Sequence, residues 1–432
     1  IDTRAGLICI SRGTEIYYPP MRPVYVNGRR PMRTRCLYLA ASVLLLLGIV
    51  AGCSSCSTSG GGSPDEGGTT KPGGGSNDSG SSSSTADFAA ITTAIQNAQS
   101  RFSGGLSVEI ATPRGIVYSY SVGGFSPDTR VIIASSAKWI TSTILLRLVD
   151  QGVLSLDEKM SAVLTDRNGA AWSGPMGDIT LRRLLSQTSG IHGDDLHGST
   201  QSDSTVISLA EAVNRIYDEQ HAASSTQAPG SYFWYGSTHF RIAARYAEVK
   251  TGKSWEQIFA EQLRDPLGWS SRSTYTVLSA TNPNPAGTLA MTGTEFMRFM
   301  MLQLRGGLDG ATRLLSQGLI DQQRRDQFLP STIIAESPYL DFGKAYHYGL
   351  GCWRECPSPS DVDVCDASLQ VSSIGAFGWL PWIDSKNGYA AVIMTKQSEQ
   401  DQAGPSLELK TTLAALIPEV LAQNPAVIRT VP

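Results

Sequence analysis

A serine three residues before a lysine is the feature of this chain with the clearest chemical consequence. Ser135 and Lys138 open a long apolar run, and positions i and i+3 share one face of a helix, so the two side chains are expected side by side. A lysine amine is ordinarily protonated, so it must be desolvated or placed near another cation to act as a base. Serine is abundant here, and such a tetrapeptide also arises by chance. The spacing nevertheless predicts an acyl-transfer nucleophile at Ser135 that Lys138 helps to deprotonate.

Tyr235 is the candidate for a second group that shares the proton. It lies in a turn, 229–237, followed by a predicted helix that begins around Thr238. A lysine cation beside a phenol favours the phenolate, which can then accept a proton. The alternative for Tyr235 is an aromatic side chain that packs after a turn. Ser237 also has two open interpretations, a contact with the substrate or its proton, and an N-cap of the following helix.

Strands near both ends of the folded region, with helices between them, must position these residues. Alternating apolar residues predict strands at 106–110 and 116–120, joined by a turn at 113–115. The nucleophile is expected at the start of a helix over 135–151, which Gly152 ends. Further helices are predicted at 87–102, 180–186, 208–219, 237–251, 254–263, 293–304, 316–324 and 407–421, and further strands at 348–353, 369–373 and 389–394.

This order of elements predicts an α+β domain over residues 87–425. The segments 87–154 and 336–425 would form an α/β lobe around one sheet built from both chain ends, and 155–335 a mainly helical second lobe. Ligands usually bind in clefts between such lobes. The site is therefore expected where the lobes meet.

The N-terminal region predicts an export signal. Residues 1–31 are rich in Arg and Pro without periodicity, so they are expected to be a non-native or mis-called N-terminus, with Met32 as the start. Residues 32–52 are basic, then apolar, then small, and resemble a bacterial lipoprotein signal peptide that ends before Cys53. The apolar run 37–51 is shorter than the about 20 residues that a membrane-spanning helix needs.

Residues 53–86 are expected to hold the folded domain away from a membrane. Cys53 would carry the lipid, and the Gly/Ser-rich stretch after it cannot bury enough apolar surface to fold, so it predicts a flexible linker. The protein is thus expected in a bacterial cell envelope, exported and bound to the membrane through its lipid anchor. Which membrane carries the lipid and the oligomeric state are left open.

Charge and cysteine usage narrow the function classes. The whole chain carries a net charge of −3 and residues 1–52 carry +5, which leaves −8 from Cys53 onward. A mildly acidic exported domain is not typical of nucleic-acid binders, so no nucleic-acid partner is expected. In an oxidising compartment Cys356 could pair with Cys365, or Cys352 could compete for either. The chain shows no second cysteine pair for a zinc site, so no metal or cofactor is expected.

Two motifs and their flanks resemble the serine hydrolases of the penicillin-binding-protein and class C beta-lactamase type, including the esterases called family VIII. Ser135-Ser136-Ala137-Lys138 matches the first motif, and Tyr235-Gly236-Ser237 falls at the second. Flanking phrases that agree in order are 150–157, 179–185, 187–191 and 265–269. The resemblance implies a beta-lactamase/transpeptidase-like fold with an antiparallel sheet, and an acyl-enzyme on Ser135 formed with Lys138 and Tyr235.

The third motif departs from this family's pattern. Where penicillin-binding enzymes have Lys-Thr-Gly, with the lysine on the substrate carboxylate, this chain has Ser373-Ile374-Gly375. Without a cation at that position the charge-assisted contact to a carboxylate is lost. The backbone N–H groups of Ser135 and Ala376 are expected to form an oxyanion hole. The residues expected to bind substrate are Trp234, Ser237, Ser373, Gly375 and Phe377.

These observations predict a serine hydrolase that cleaves small ester or amide bonds, most specifically a carboxylesterase (EC 3.1.1). One alternative is a D,D-peptidase or beta-lactamase that acts on cell-wall peptides or β-lactams, which the missing lysine disfavours. A second is a non-catalytic penicillin-binding-like sensor, disfavoured because a binding module has no need of Ser135, Lys138 and Tyr235 together.

Overall fold

The computed structural model describes residues 87–192, 207–222, 226–356, 365, 368–396 and 403–424. The expected signal peptide 32–52, the stretch before it, the linker 53–86 and Cys53 all lie outside the described residues. Among the helices that are described, none has the length and apolar character needed to cross a bilayer.

A seven-stranded antiparallel sheet forms the centre of the domain. Its strands lie in the order β2-β1-β13-β12-β11-β10-β9. They span β1 (Leu106–Thr112), β2 (Gly115–Val122), β9 (His347–Tyr348), β10 (Trp353–Arg354), β11 (Gln370–Ser372), β12 (Leu380–Asp384) and β13 (Tyr389–Thr395). The smaller two-stranded sheets are made of β3 (Val131–Ile132) with β5 (Ala290–Met291), β4 (Tyr232–Trp234) with β8 (Ile333–Glu336), and β6 (Leu308–Asp309) with β7 (Thr312–Arg313).

Along the chain, most of the described helices lie between strand β2 and strand β9. The described α-helices are α1 (Ala89–Ala98), α2 (Ala137–Asp150), α3 (Gly174–Gly177), α4 (Leu181–Leu185), α5 (Leu209–Ala222), α6 (Thr238–Thr251), α7 (Trp255–Phe259), α8 (Gly293–Leu304), α9 (Gln317–Arg324) and α10 (Ala403–Ala422). Short 3₁₀ turns occur at Gln99–Arg101, Ala134–Ser136, Met160–Ala162 and Leu340–Phe342, and α7 continues into a π-helical turn at Ala260–Arg264.

The predicted sheet from both chain ends is confirmed. Strand β1 pairs with β13 in antiparallel register, with Val108 opposite Ile393, so residues almost 300 positions apart are neighbours. Every residue of β1 and β13 is buried, as expected for central strands covered on both faces. Helices α1 and α10 pack on one face of the sheet through a cluster that includes Ile95 and Leu413.

Helix α2 is the most deeply buried helix segment that bears on the site. From Ala137 to Leu148 every residue is buried, including two basic residues, one serine and two threonines. Burial of each large aliphatic side chain, such as Ile144, contributes about 1.5–3 kcal/mol to the free energy of unfolding. The helix ends where Gly152 adopts a left-handed φ of 72°. A helix this firmly packed gives the nucleophile turn before it a fixed support.

The predicted single strand at 348–353 is wrong, because two strands and a turn occupy this run. Gly351 has a φ of 86°, and Gly349 donates its N–H to Cys352 O at 2.8 Å, which closes the turn between β9 and β10. A Cβ on Gly351 would lie 2.8 Å from Lys138 O. The turn therefore needs glycine both for its conformation and for its close contact with helix α2.

Strand β12 was not predicted from the sequence. Pro381 stands inside it, and proline argues against a strand in the middle of a sheet because it lacks an N–H donor. Here Pro381 contributes its carbonyl instead, which accepts a hydrogen bond from Ser373 N at 3.1 Å. The strand is held by the remaining donors and by burial of all five of its residues.

The structure resolves the disulfide pairing that the sequence left open. Cys356 and Cys365 form a disulfide, and Cys352 is a free, buried thiol. Burial raises the pKa of the Cys352 thiol to about 12. Cys352 is thus an inert core residue rather than a competing disulfide partner.

Candidate active site

Ser135 lies in a strained turn between strand β3 and helix α2. Ala134 before it has a φ of 48°, a left-handed conformation that is unfavourable for a residue with a Cβ. The buried Ser136 after it donates its hydroxyl to Ser373 O at 2.6 Å and to Trp379 O at 3.2 Å. The turn is therefore clamped to the segment that follows strand β11, while the Ser135 side chain itself remains partly exposed.

Lys138 connects the two predicted motifs. Its side chain is 2% exposed, and its Nζ donates to Ser135 Oγ at 3.0 Å and to Ala286 O at 3.2 Å. The same nitrogen lies 4.7 Å from the centre of the Tyr235 ring. One buried nitrogen thus contacts both the predicted nucleophile and the predicted second base, although the chain separates the motifs by about a hundred residues.

Tyr235 is held by packing and by its backbone. Its ring stacks on Trp353 at a centroid distance of 5.0 Å and meets Tyr348 edge-on at 6.1 Å. Its N–H donates to Glu336 O at 3.1 Å, which ties it to strand β8. The ring is half-buried, so it is fixed by core contacts on one side and open on another.

The segment that carries the third motif approaches the nucleophile turn closely. A Cβ on Gly375 would lie 2.3 Å from Ile133 O, so only glycine allows this approach. The Gly375 N–H donates to Trp379 O at 2.8 Å, whereas the N–H of the exposed Ala376 has no hydrogen-bond partner among the described residues. An unpaired N–H at this edge is what an oxyanion hole requires.

The predicted substrate-binding residues fall into two groups. Trp234, Ser237 and Phe377 are half-buried and so can reach a ligand. Ser373 is only 2% exposed, and its hydroxyl donates to Ser135 O at 3.4 Å, so it braces the nucleophile turn in this structure. Ser237 is the residue before helix α6, but its hydroxyl makes no cap hydrogen bond.

The aromatic residues considered as pocket walls are likewise either fully buried in the core or half-buried and able to reach a ligand. Trp139, Trp379 and Trp382 have no exposed surface and belong to the core. Trp234 instead lies between two stacked rings, with His192 at 4.6 Å and Tyr232 at 5.1 Å. Of these aromatic residues, the half-buried Trp234 is therefore the one that can line an apolar pocket for a substrate, together with Phe377.

A family model described as Beta-lactamase matches residues 93–416, three quarters of the chain. The chain belongs to the beta-lactamase family. This assignment agrees with the resemblance of the Ser135 and Tyr235 motifs to penicillin-binding proteins and class C enzymes, and with the sheet built from both chain ends. Where the third motif of such enzymes reads Lys-Thr-Gly, this member of the beta-lactamase family has Ser373 in place of the lysine and keeps the glycine as Gly375.

The individual proteins to which this chain is similar are distant from it. Penicillin-binding protein 4 of Amycolatopsis lactamdurans is 30% identical over 230 residues, which cover 47% of this chain and 58% of that protein. The monacolin J acid methylbutanoyltransferase of Aspergillus terreus is 28% identical over 153 residues, 33% of this chain and 37% of the enzyme. The chain thus spans between about a third and somewhat over half of these relatives.

A solved structure is similar over more of the chain. The crystal structure of a beta-lactamase-like protein from Bacteroides dorei DSM 17855 superposes with a TM-score of 0.64 at 26% identity, covering 77% of this chain and 99% of that one. The similarity supports the same arrangement of sheet and helices.

Two residues of the site were missed by sequence reasoning. Gln187 has a φ of 55° and no exposed surface, and its Oε1 accepts the Gly236 N–H at 2.7 Å while its carbonyl accepts the Trp234 N–H at 3.2 Å. His239, on the first turn of helix α6, contacts Trp234 O. Gln187 lies in one of the flanking phrases that matched the beta-lactamase family, and that was the available signal for it.

One group of described side chains has the residue types that bind metal ions. The ligand atoms of His347, Cys356 and Cys365 are within 4.8 Å of one another, and all three residues are buried. The two sulfurs are joined in the disulfide, however, so neither is a thiolate ligand. His347 Nδ1 instead pairs with Asp326 Oδ2 at 2.5 Å.

Proposed function

We propose that this protein is a serine carboxylesterase that works through an acyl-enzyme on Ser135. The observation that carries the proposal is the position of Lys138 Nζ, in contact with Ser135 Oγ and the Tyr235 ring at once. Lys138 and Tyr235 take the hydroxyl proton as Ser135 Oγ attacks an ester carbonyl. The Ala376 N–H, with that of Ser135, stabilises the oxyanion, and the alcohol leaves with the proton. Water then releases the acid and regenerates Ser135.

The third motif supports the proposed substrate class. A buried serine at position 373 offers no positive charge to a substrate carboxylate, which a penicillin or a D-alanyl peptide carries. A neutral ester needs no such contact. The fungal relative is named for transfer of a methylbutanoyl group, which is also an acyl group. Penicillin binding, for which the Amycolatopsis relative is named, is the competing function.

Two substrates separate these functions. The purified chain is incubated with p-nitrophenyl butyrate and, separately, with a chromogenic cephalosporin, and turnover and mass are recorded. The proposal expects ester turnover that Ser135→Ala abolishes, with cephalosporin turnover at least a hundredfold slower. A stable cephalosporin adduct without ester turnover would instead indicate a penicillin-binding protein. The absence of both ester turnover and a cephalosporin adduct would indicate the non-catalytic sensor.

We also propose that the protein is anchored in a bacterial envelope through a lipid on Cys53. The support is the sequence of residues 32–52, which resembles a lipoprotein signal. Expression in a bacterial host with a labelled fatty acid is expected to label the wild type and Cys56→Ser, the matched control, but not Cys53→Ser. Equal labelling of both cysteine variants would contradict the anchor at Cys53.

A further inference from the structure

His239 is a buried histidine whose two ring nitrogens are both engaged. It lies in the first turn of helix α6, four residues after Tyr235, and has no exposed surface. Nε2 lies 2.7 Å from Trp234 O, and Nδ1 lies 2.9 Å from the hydroxyl of Ser189. Such a residue is expensive to bury, so its contacts call for an explanation beyond space filling.

The partners fix the position of the ring proton. A carbonyl oxygen only accepts hydrogen bonds, so Nε2 carries the proton and donates it to Trp234 O. Nδ1 is then the acceptor, and the Ser189 hydroxyl donates to it. Burial, with the nearby Lys138, lowers the pKa of His239 to about 4, so the ring is neutral at physiological pH.

The bond from Nε2 reaches the peptide that leads into Tyr235. Trp234 O belongs to the peptide group that joins Trp234 to Tyr235, so its direction sets the orientation of the Tyr235 backbone. On either side of it, Gln187 holds the N–H groups of Trp234 and Gly236. Tyr235 therefore lies in a segment whose polar groups are held by the protein's interior, while its own ring is stacked on Trp353.

We propose that His239 is a positioning residue that places the Tyr235 phenol beside Lys138 and Ser135 by holding the Trp234 carbonyl. The hydrogen bond from Nε2 to that carbonyl is the part that matters, and the bond from Ser189 orients the ring. This inference rests on the proposed role of Tyr235 in the acyl transfer. A displacement of about 1 Å of a catalytic group can lower turnover by about a hundredfold.

Three variants separate the two hydrogen bonds. In His239→Gln the side-chain amide nitrogen takes the place of Nε2 and still donates to Trp234 O. His239→Leu fills the space without a donor, and Ser189→Ala removes only the donor to Nδ1. We expect kcat for p-nitrophenyl butyrate to fall about a hundredfold in His239→Leu, less than fivefold in His239→Gln and less than fivefold in Ser189→Ala, with KM nearly constant in all three.

A second measurement is independent of ester turnover. The rate at which a fluorophosphonate labels Ser135 reports activation of the nucleophile directly, and it is expected to follow the same order of variants. If the wild type is labelled but hydrolyses no ester, the proposed function fails while the labelling rates still test His239. If circular dichroism shows that His239→Leu does not fold, His239→Met replaces it as the variant without a hydrogen-bond donor.

Two results would overturn the inference that His239 positions Tyr235. Labelling and kcat of a folded His239→Leu or His239→Met within threefold of the wild type would show that the Trp234 carbonyl needs no donor from His239. Equal, large losses in His239→Gln and His239→Leu would also refute it, because the retained donor would then have no effect.

Discussion

The side-chain nitrogen of Lys138 lies 3.0 Å from the hydroxyl oxygen of Ser135, one helical turn apart in a segment that is otherwise buried. The spacing of the two residues predicts this contact, because the 3₁₀ turn that carries Ser135 continues into helix α2 at Ala137. The same nitrogen lies against the Tyr235 ring. The first prediction therefore concerns this nitrogen.

Replacement of Lys138 by methionine is expected to lower kcat by about 10²- to 10⁴-fold, the range of general base catalysis. Methionine keeps the apolar stem in its buried place, so the melting temperature should change little. Lys159→Met is the matched control, because Lys159 is an exposed lysine paired with Asp178. Ester turnover of Lys138→Met within tenfold of the control would remove Lys138 from the proton transfer.

Tyr235→Phe tests the second group. The phenylalanine ring retains the stacking on Trp353, so the fold is preserved while the phenol oxygen is lost. We expect kcat to fall by about 10²- to 10⁴-fold and KM to stay within threefold, because the phenol acts on the reacting proton rather than on substrate binding. Tyr232→Phe, on the neighbouring strand, should hydrolyse the ester at the wild-type rate. An equal loss in both variants would indicate a general effect on the aromatic cluster.

Ser136→Ala is expected to lower stability. Its buried hydroxyl donates to Ser373 O at 2.6 Å, and removal leaves a buried carbonyl with one fewer partner. The free energy of unfolding should fall by about 1–3 kcal/mol, measured by urea denaturation. The change should be much smaller in Ser135→Ala, since that side chain is partly exposed. A Ser136→Ala variant as stable as the wild type would show that the clamp between the nucleophile turn and Ser373 contributes nothing.

The buried His239 predicts a pH dependence of stability. Its pKa is lowered from 6.5 to about 4 in the folded chain, so the unfolded chain binds a proton at a pH where the folded chain does not. Stability is therefore complete above about pH 6.5, declines as the pH falls and levels off below about pH 4, with a loss on the order of 3 kcal/mol. His239→Gln should lack this part of the loss. Urea denaturation of both proteins between pH 7 and pH 4 measures the difference, and parallel curves would contradict the prediction.

The elements that depend on local patterns were predictable from the sequence. The hairpin β1–β2 and helix α2 follow from apolar periodicity and from Gly152, and their bounds agree within two residues. Strand β12 was not predictable, because Pro381 breaks its pattern and the pairing with β11 and β13 that compensates joins separate segments of the chain. The run at 348–353 is too short for its alternating residues to be told from one strand, so the turn was missed although Gly349 and Gly351 signal it.

The candidate site likewise combines contacts that the sequence predicts with contacts that only the folded chain reveals. The contact of Ser135 with Lys138 is local and follows from spacing, whereas the contact of Lys138 with Tyr235 joins distant segments, so its expectation depended on side-chain chemistry and on a resemblance to a family. Nothing in the sequence around His239 indicates its bond to Ser189, fifty residues earlier. Hydrogen bonds between distant side chains depend on the packed fold, so periodicity and composition do not reveal them.

Mass spectrometry of the chain quenched during hydrolysis of p-nitrophenyl butyrate tests the central claim most directly. The expected result is a mass increase of one butanoyl group, mapped to the peptide that contains Ser135 and absent in Ser135→Ala. Hydrolysis without any adduct on Ser135, or hydrolysis by Ser135→Ala at the wild-type rate, would contradict the acyl-enzyme and the role of this site.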